Sequence, residues 1–200
     1  MAPSARVGIA GTSAGNIRSV VNALNRLGIR AEVSNDPAVL TKATHIILPG
    51  VGEARTAMEA LDRSGVSQWL REARVPFLGI CLGMQLLFER SMERDTSGLG
   101  IVSGTVRRFE TGTLKVPHMG WNTVAPVQPS LLLDGIAPEA FFYFVHSYYA
   151  PVTAETLARS DYGIAFASVV QRDNFYGVQF HPEKSGTAGL QLLRNFIERC

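Results

Sequence analysis

The sequence predicts an α/β fold: an open, mostly parallel sheet with helices on both faces, plus additional antiparallel strands later in the chain. In the first half, short apolar runs alternate with stretches of helical periodicity, the pattern of βαβ units. Gly28 and Pro49-Gly50 punctuate the junctions. From about residue 101 the helical spacing gives way to short segments rich in aromatic and β-branched residues.

Arg6–Ala10 (RVGIA) reads as the first strand and GTSAGN as the loop after it. Residues 16–27 place Ile17, Val20, Val21, Leu24 and Leu27 on one helix face, and Gly28 is a natural stop. Ile29–Val33 is a second strand, and His45–Leu48 a third, closed by Pro49-Gly50. One helix is expected after Gly52 and another through Trp69. Pro76–Ile80 is the fourth strand, followed by a helix from Leu82 to about Met92. Gly104–Phe109, Trp121–Val124, Phe141–Tyr149, Ile164–Gln171 and Phe175–Phe180 read as strands, and Thr187–Glu198 as the last helix. There is no internal repeat or low-complexity linker, so residues 1–200 are expected to form a single domain.

The bulk numbers narrow the function classes. A net charge of +2 over 200 residues gives no basic footprint for nucleic acid. Arg107-Arg108 reads as a solvated strand edge. The two cysteines, Cys81 and Cys200, give neither a metal-ligand spacing nor a disulfide framework, and no cofactor motif is present. Cys200 is expected to be a frayed surface thiol. MAPSARVGIAG does not have the build of a secretory signal, and the apolar run near residues 75–88 is too short for a bilayer. A soluble, cytoplasmic setting is expected.

Cys81 sits in Gly79-Ile80-Cys81-Leu82-Gly83, where an apolar strand meets a helical pattern. Free cysteine is often a small buried hydrophobe. The G-x-C-x-G form instead matches a nucleophile elbow, in which a sharp turn lifts the nucleophile above the sheet. A helix N-terminus there favours the reactive thiolate, and the Leu82 N–H would point at the carbon under attack. A thiol nucleophile needs a base, and the chain has His45, His118, His146 and His181. His45 opens a strand and reads as structural. His181 ends a strand in QFHPEK, and Glu183, two residues on, projects to the same side. Glu183 can therefore hold one imidazole nitrogen while the other faces the thiol. Pro49-Gly50-Val51-Gly52 offers a second loop whose backbone could approach a ligand closely, or it is a plain strand-to-helix turn.

GICLGMQ (79–85) together with HPE (181–183) resembles the class I, triad-type glutamine amidotransferases. PGVG (49–52), PHMGWN (117–122), FVHSY (144–148) and HPEKS (181–185) narrow the likeness to glutaminase subunits of imidazole glycerol phosphate synthases, of histidine biosynthesis. The likeness covers nearly the whole chain. It implies the fold of that family and hydrolysis of glutamine to glutamate and ammonia through a cysteinyl thioester, without metal or cofactor. By resemblance Cys81 is the nucleophile, His181 the general base and acid, and Glu183 its orienter. Gly52, Leu82, Gln85, Glu93, His146, Ser147 and Tyr148 are the implied glutamine-binding positions. Gln85 lies one helical turn beyond Cys81, and its amide could read another amide. Glu93 could meet the substrate ammonium, although on its own it reads as a solvated charge at a helix end. The implied partner is a cyclase subunit with a (β/α)8 barrel, forming a heterodimer, with Asn16, Met119, Trp121 and Lys184 at the interface. Many members carry Asp-Tyr-Gly before the Gly-Asn pair, where this chain has Gly11-Thr12-Ser13-Ala14-Gly15-Asn16. Rival readings are a glutaminase serving another synthase, a cysteine peptidase or other thiol protein on a similar sheet, and a retired glutaminase used for binding. LGMQ, PGVG and the intact Cys81, His181 and Glu183 weigh against them.

Overall fold

The computed structural model describes residues 5–11, 14–110, 112 and 114–200, and in the first helix its side chains from residue 17 onward. In chain order the elements are β1 (Val7–Ile9), α1 (Ala14–Arg26), β2 (Ala31–Val33), α2 (Pro37–Leu40), β3 (His45–Gly50), α3 (Ala54–Arg63), α4 (Val66–Glu72), β4 (Phe77–Cys81) and α5 (Leu82–Gln85). They continue with β5 (Phe88–Ser91), β6 (Thr96–Ser97), β7 (Val102–Arg108), β8 (His118–Thr123), β9 (Ala125–Pro126), β10 (Phe141–His146) and β11 (Tyr148–Tyr149). β12 (Thr156–Asp161), β13 (Ala165–Arg172), β14 (Phe175–Val178) and α6 (Gly186–Arg199) complete the chain.

The main sheet has eight strands in the order β2-β1-β3-β4-β14-β13-β12-β9. The strands from β2 to β14 are parallel, and the ladder turns antiparallel at β13. The fold class read from the sequence is therefore the one observed: α/β with a mixed sheet. Strand alternation divides the core between the two faces. Ile47, Leu78 and Ile80 pack with Val20 and Leu24 of α1 and Leu192 and Phe196 of α6. Ile46, Leu48 and Phe77 pack on the other side with Leu61 of α3 and Leu70 of α4. Each such fully buried side chain contributes on the order of 2 kcal/mol. Two smaller sheets, β10-β8 and β11-β7-β5-β6, flank the main one.

Some elements differ from the sequence expectation. The helix from Leu82 stops at Gln85 instead of reaching Met92. Leu99 and Ile101 donate their N–H groups to the Leu86 and Leu87 carbonyls, which a continuing helix would have used itself. Phe88 then opens β5, paired with Val102 of β7. Phe141–Tyr149 is broken at Ser147, because β10 pairs with β8 whereas β11 pairs with β7. β12 lacks an apolar alternation strong enough to have marked it. Cys200 is half-buried at the end of α6 and packs against the core. Burial raises its pKa, and burial together with Cys200 pushes Tyr176 to about 12. Of the GTSAGN loop, Thr12 and Ser13 lie outside the described residues. Among the described residues no helix is long and apolar enough to cross a membrane.

Candidate active site

Cys81 ends β4 with φ 55° and ψ −107°, a conformation that side-chain-bearing residues avoid. Neighbouring glycines make it possible. A Cβ on Gly79 would stand 2.5 Å from the Gly83 carbonyl oxygen, and one on Gly50 would stand 2.8 Å from Leu82 Cβ. The turn is thus wedged between β4 and β3, with Cys81 at the C-terminal end of the parallel strands, where open α/β sheets bind ligands. The single turn of α5 carries a smaller dipole than the long helix expected from the sequence.

His181 lies three residues beyond the end of β14, fully buried. Its backbone N–H donates to the Tyr143 carbonyl at 2.9 Å, and its Nδ1 meets Glu183 Oε1 at 2.8 Å. Glu183 sits in a one-turn 3-10 helix, Pro182–Lys184. Ser185 Oγ donates to the His181 carbonyl at 2.6 Å and accepts the Tyr143 N–H at 3.0 Å, fixing this turn to β10. A Cβ on Gly189 would fall 1.9 Å from the Pro182 carbonyl oxygen, so α6 rests directly on the turn. His181 Nε2 is buried without a hydrogen-bond partner. Burial lowers the imidazole pKa, but the Cys81 sulfur first and Glu183 second outweigh it, raising it to about 10.

Gly52, Leu82, Gln85, Glu93, His146, Ser147 and Tyr148 all line one cavity of about 330 Å³ with Cys81 and His181. A larger cavity of about 630 Å³ lies beside β1 and β2 at the far side of the sheet, lined by Arg6, Arg30 and Lys42 and without a nucleophile. Chemistry, not size, singles out the Cys81 cavity. Gln85 is buried, and its Nε2 donates both to the Tyr148 carbonyl at 2.9 Å and to Gln179 Oε1 at 2.9 Å. Both N–H bonds are thus spent within the protein, leaving only the Gln85 carbonyl oxygen for a ligand. Glu93 is not the solvated charge that its sequence position suggests. Its carboxylate accepts the Ala54 N–H at 2.8 Å, at the first turn of α3. Burial raises its pKa against that hydrogen bond.

One residue and one contact escaped sequence reasoning. Gln179 is fully buried and its Nε2 donates to Cys81 Sγ at 3.7 Å. The one available signal was a lone amide in the apolar stretch FYGVQF. His118 and His146 face one another across the β8–β10 register, with Nδ1 of the first 2.9 Å from Nε2 of the second. Burial lowers His118 to about 4 and His146 to about 3, so both are neutral near pH 7 and weaker bases than an ordinary imidazole. Thr44 Oγ1 lies 3.0 Å from His45 Nδ1, in keeping with a structural histidine.

On β8, alternation turns His118 and Asn122 inward and Met119 and Trp121 outward, the latter two 62% and 56% exposed. Trp121 packs edge-on to Tyr143, whose other neighbour is the Lys184 ammonium at 5.7 Å. Those three expected interface residues therefore share a surface beside the His181 turn. Asn16 lies in α1, and its side chain is outside the described residues. Among the described residues no cluster of three or more histidine, cysteine or acidic side chains could hold a metal.

The family model for class-I glutamine amidotransferases matches residues 12–200. The chain is 49% identical over 195 residues to the imidazole glycerol phosphate synthase subunit HisH of Bacteroides fragilis, covering 96% of this chain and 99% of the relative. It is 52% identical over 196 residues to the HisH subunit of Desulfitobacterium hafniense, covering 95% and 92%. Among solved structures, a glutamine amidotransferase superimposes with TM-score 0.75 at 23% identity, over 96% of this chain and 97% of that one. A glutamine amidotransferase from Thermotoga maritima gives 0.69 at 16% identity, over 98% of each. At these identities the structural likeness speaks for the fold alone.

Proposed function

The chain belongs to the class-I glutamine amidotransferase family, and from that premise we propose that it is the glutaminase subunit of an imidazole glycerol phosphate synthase. The observation that carries this reading is the Cys81 elbow beside a buried His181–Glu183 pair at 2.8 Å. Cys81 Sγ, as thiolate, attacks the side-chain amide carbon of glutamine, and the carbonyl electrons move to oxygen. The Leu82 N–H faces that developing charge. His181, protonated at Nε2, gives its proton to the departing nitrogen, and ammonia leaves behind a Cys81 thioester. Neutral His181 then takes a proton from water, which attacks the thioester and releases glutamate. Glu183 holds Nδ1 throughout and favours the imidazolium. The Gln85 carbonyl oxygen and the Glu93 carboxylate suit the substrate's α-ammonium.

Ammonia released into water would be protonated and lost as a nucleophile, so its consumer must be docked nearby. The consumer is a cyclase subunit with a (β/α)8 barrel, paired one to one with this chain through the surface of Met119, Trp121 and Lys184. Residues 1–200 act as one domain, in the cytoplasm. The test is glutamine turnover with and without that partner and its nucleotide ligand. Wild type should hydrolyse glutamine faster in the loaded complex, and Cys81→Ala should still co-purify with the partner but hydrolyse none. Retained glutaminase activity in Cys81→Ala would overturn the assignment.

A further inference from the structure

Tyr148 contributes a backbone carbonyl to the site, and a carbonyl can only accept. Its oxygen takes two hydrogen bonds, one from Gln85 Nε2 at 2.9 Å and one from His146 Nδ1 at 2.8 Å. This fixes every rotor and tautomer on both sides. The Gln85 amide must point nitrogen-first at Tyr148, so its second N–H meets Gln179 Oε1 at 2.9 Å. Gln179 is then forced to present Nε2 to Cys81 Sγ, at 3.7 Å. In the other direction His146 carries its proton on Nδ1, leaving Nε2 to accept from His118 Nδ1 at 2.9 Å. His118 Nε2 is then the acceptor for Asn122 Nδ2 at 3.4 Å, and Asn122 Nδ2 is itself tied to the Asp161 carbonyl at 2.8 Å. One carbonyl thus sets the polarity of a chain running from the inward face of β8 to the sulfur.

We propose that Gln179 is a catalytic residue that donates to the Cys81 thiolate, held nitrogen-first by Gln85 and the Tyr148 carbonyl. The proposal rests on reading Cys81 as the nucleophile. Beside the His181 imidazole, whose pKa the sulfur raises, Gln179 Nε2 is a second donor to Sγ, at 3.7 Å; the Val145 carbonyl at 3.9 Å is an acceptor. A donor stabilises the thiolate over the thiol. A Gln179 amide turned end for end would press its carbonyl oxygen on the sulfur and do the reverse. Its full burial means that no water replaces the lost bond.

The test is the rate of Cys81 alkylation by iodoacetamide against pH in the full chain, read at the Cys81 peptide by mass spectrometry so that Cys200 does not interfere. The titratable groups lining the cavity are His181, His146, Glu93 and Tyr148, with Glu183 behind His181. All are retained in the variants. Gln179→Met keeps the side-chain length and removes the donor; it should slow alkylation at pH 7 about tenfold and move the midpoint up by about one pH unit. His118→Phe lies beyond a carbonyl that accepts in every state and should leave the midpoint where it is. A purely structural role would lower the melting temperature without moving the midpoint. An unchanged midpoint in folded Gln179→Met overturns the proposal. Nitrogen NMR of the wild-type histidines tests the role of the Tyr148 oxygen without any variant: His146 should carry its proton on Nδ1, and an Nε2-protonated form would overturn that oxygen's place as the shared acceptor. Neither measurement uses glutamine, so a failed glutaminase assay and a failed proposal remain distinct.

Discussion

The Cβ that Gly83 lacks would stand 1.9 Å from the Leu48 carbonyl oxygen. No side-chain rotation relieves a contact between Cβ and backbone, so β3 and the elbow approach this closely only because residue 83 is glycine. Gly83→Ala is expected to cost about 3 kcal/mol of stability or more, since either β3 or the Cys81 turn must move. The folded fraction should also lose glutamine hydrolysis, because the displaced element carries Cys81, the proposed nucleophile. Chemical denaturation and turnover per folded molecule check both, and a melting profile like that of the wild type would contradict the packing argument.

The His181–Glu183 pair has a pH signature. Burial opposes the charged imidazole, but the Cys81 sulfur and Glu183 more than compensate, and the pKa stands near 10 against an ordinary 6.5. A raised pKa in the folded state means that the resulting stabilisation is complete below about 6.5 and is lost as pH rises through about 10. Cys81→Ala and Glu183→Gln should each lower the His181 pKa, Cys81→Ala by more, as followed by NMR titration of the imidazole. Glu183→Gln should also reduce kcat on the order of a hundredfold, because a glutamine amide can favour the wrong tautomer. An unaltered His181 titration in both variants would contradict the charge coupling.

The outward side chains of β8 carry the partner prediction. Trp121 is over half exposed, yet it is braced against Tyr143 beside Lys184. An exposed tryptophan held rigid by its neighbours is well suited to anchor a docked partner. Trp121→Ala should weaken binding of the proposed cyclase partner by about 2 kcal/mol, or about thirtyfold in Kd. Titration calorimetry would measure it. Wild-type affinity in that variant would move the interface elsewhere.

Much of this protein was legible one short stretch at a time. Gly79 and Gly83 around Cys81 announced the elbow, because tight backbone approach demands glycine at fixed local offsets. Glu183 could be assigned to His181 because two residues' separation keeps the side chains within reach, although the chain there forms a one-turn 3-10 helix and not the extended stretch expected. The parallel sheet followed from the alternating periods of β1 through α4. These features depend on spacings of a few residues, which a sequence states directly. The helix from Leu82 ends early because Leu99 and Ile101 take the Leu86 and Leu87 carbonyls, a competition invisible in local periodicity. Glu93 reads as a solvated charge until α3 is laid against it. Gln179 and Cys81 are 98 residues apart, and His118 and His146 are 28 apart. What the sequence determined by itself was which groups could do the chemistry. Only the tertiary structure decided which donors meet the sulfur and which way each amide and imidazole points, because those choices are forced by strand register and by a single carbonyl that can only accept.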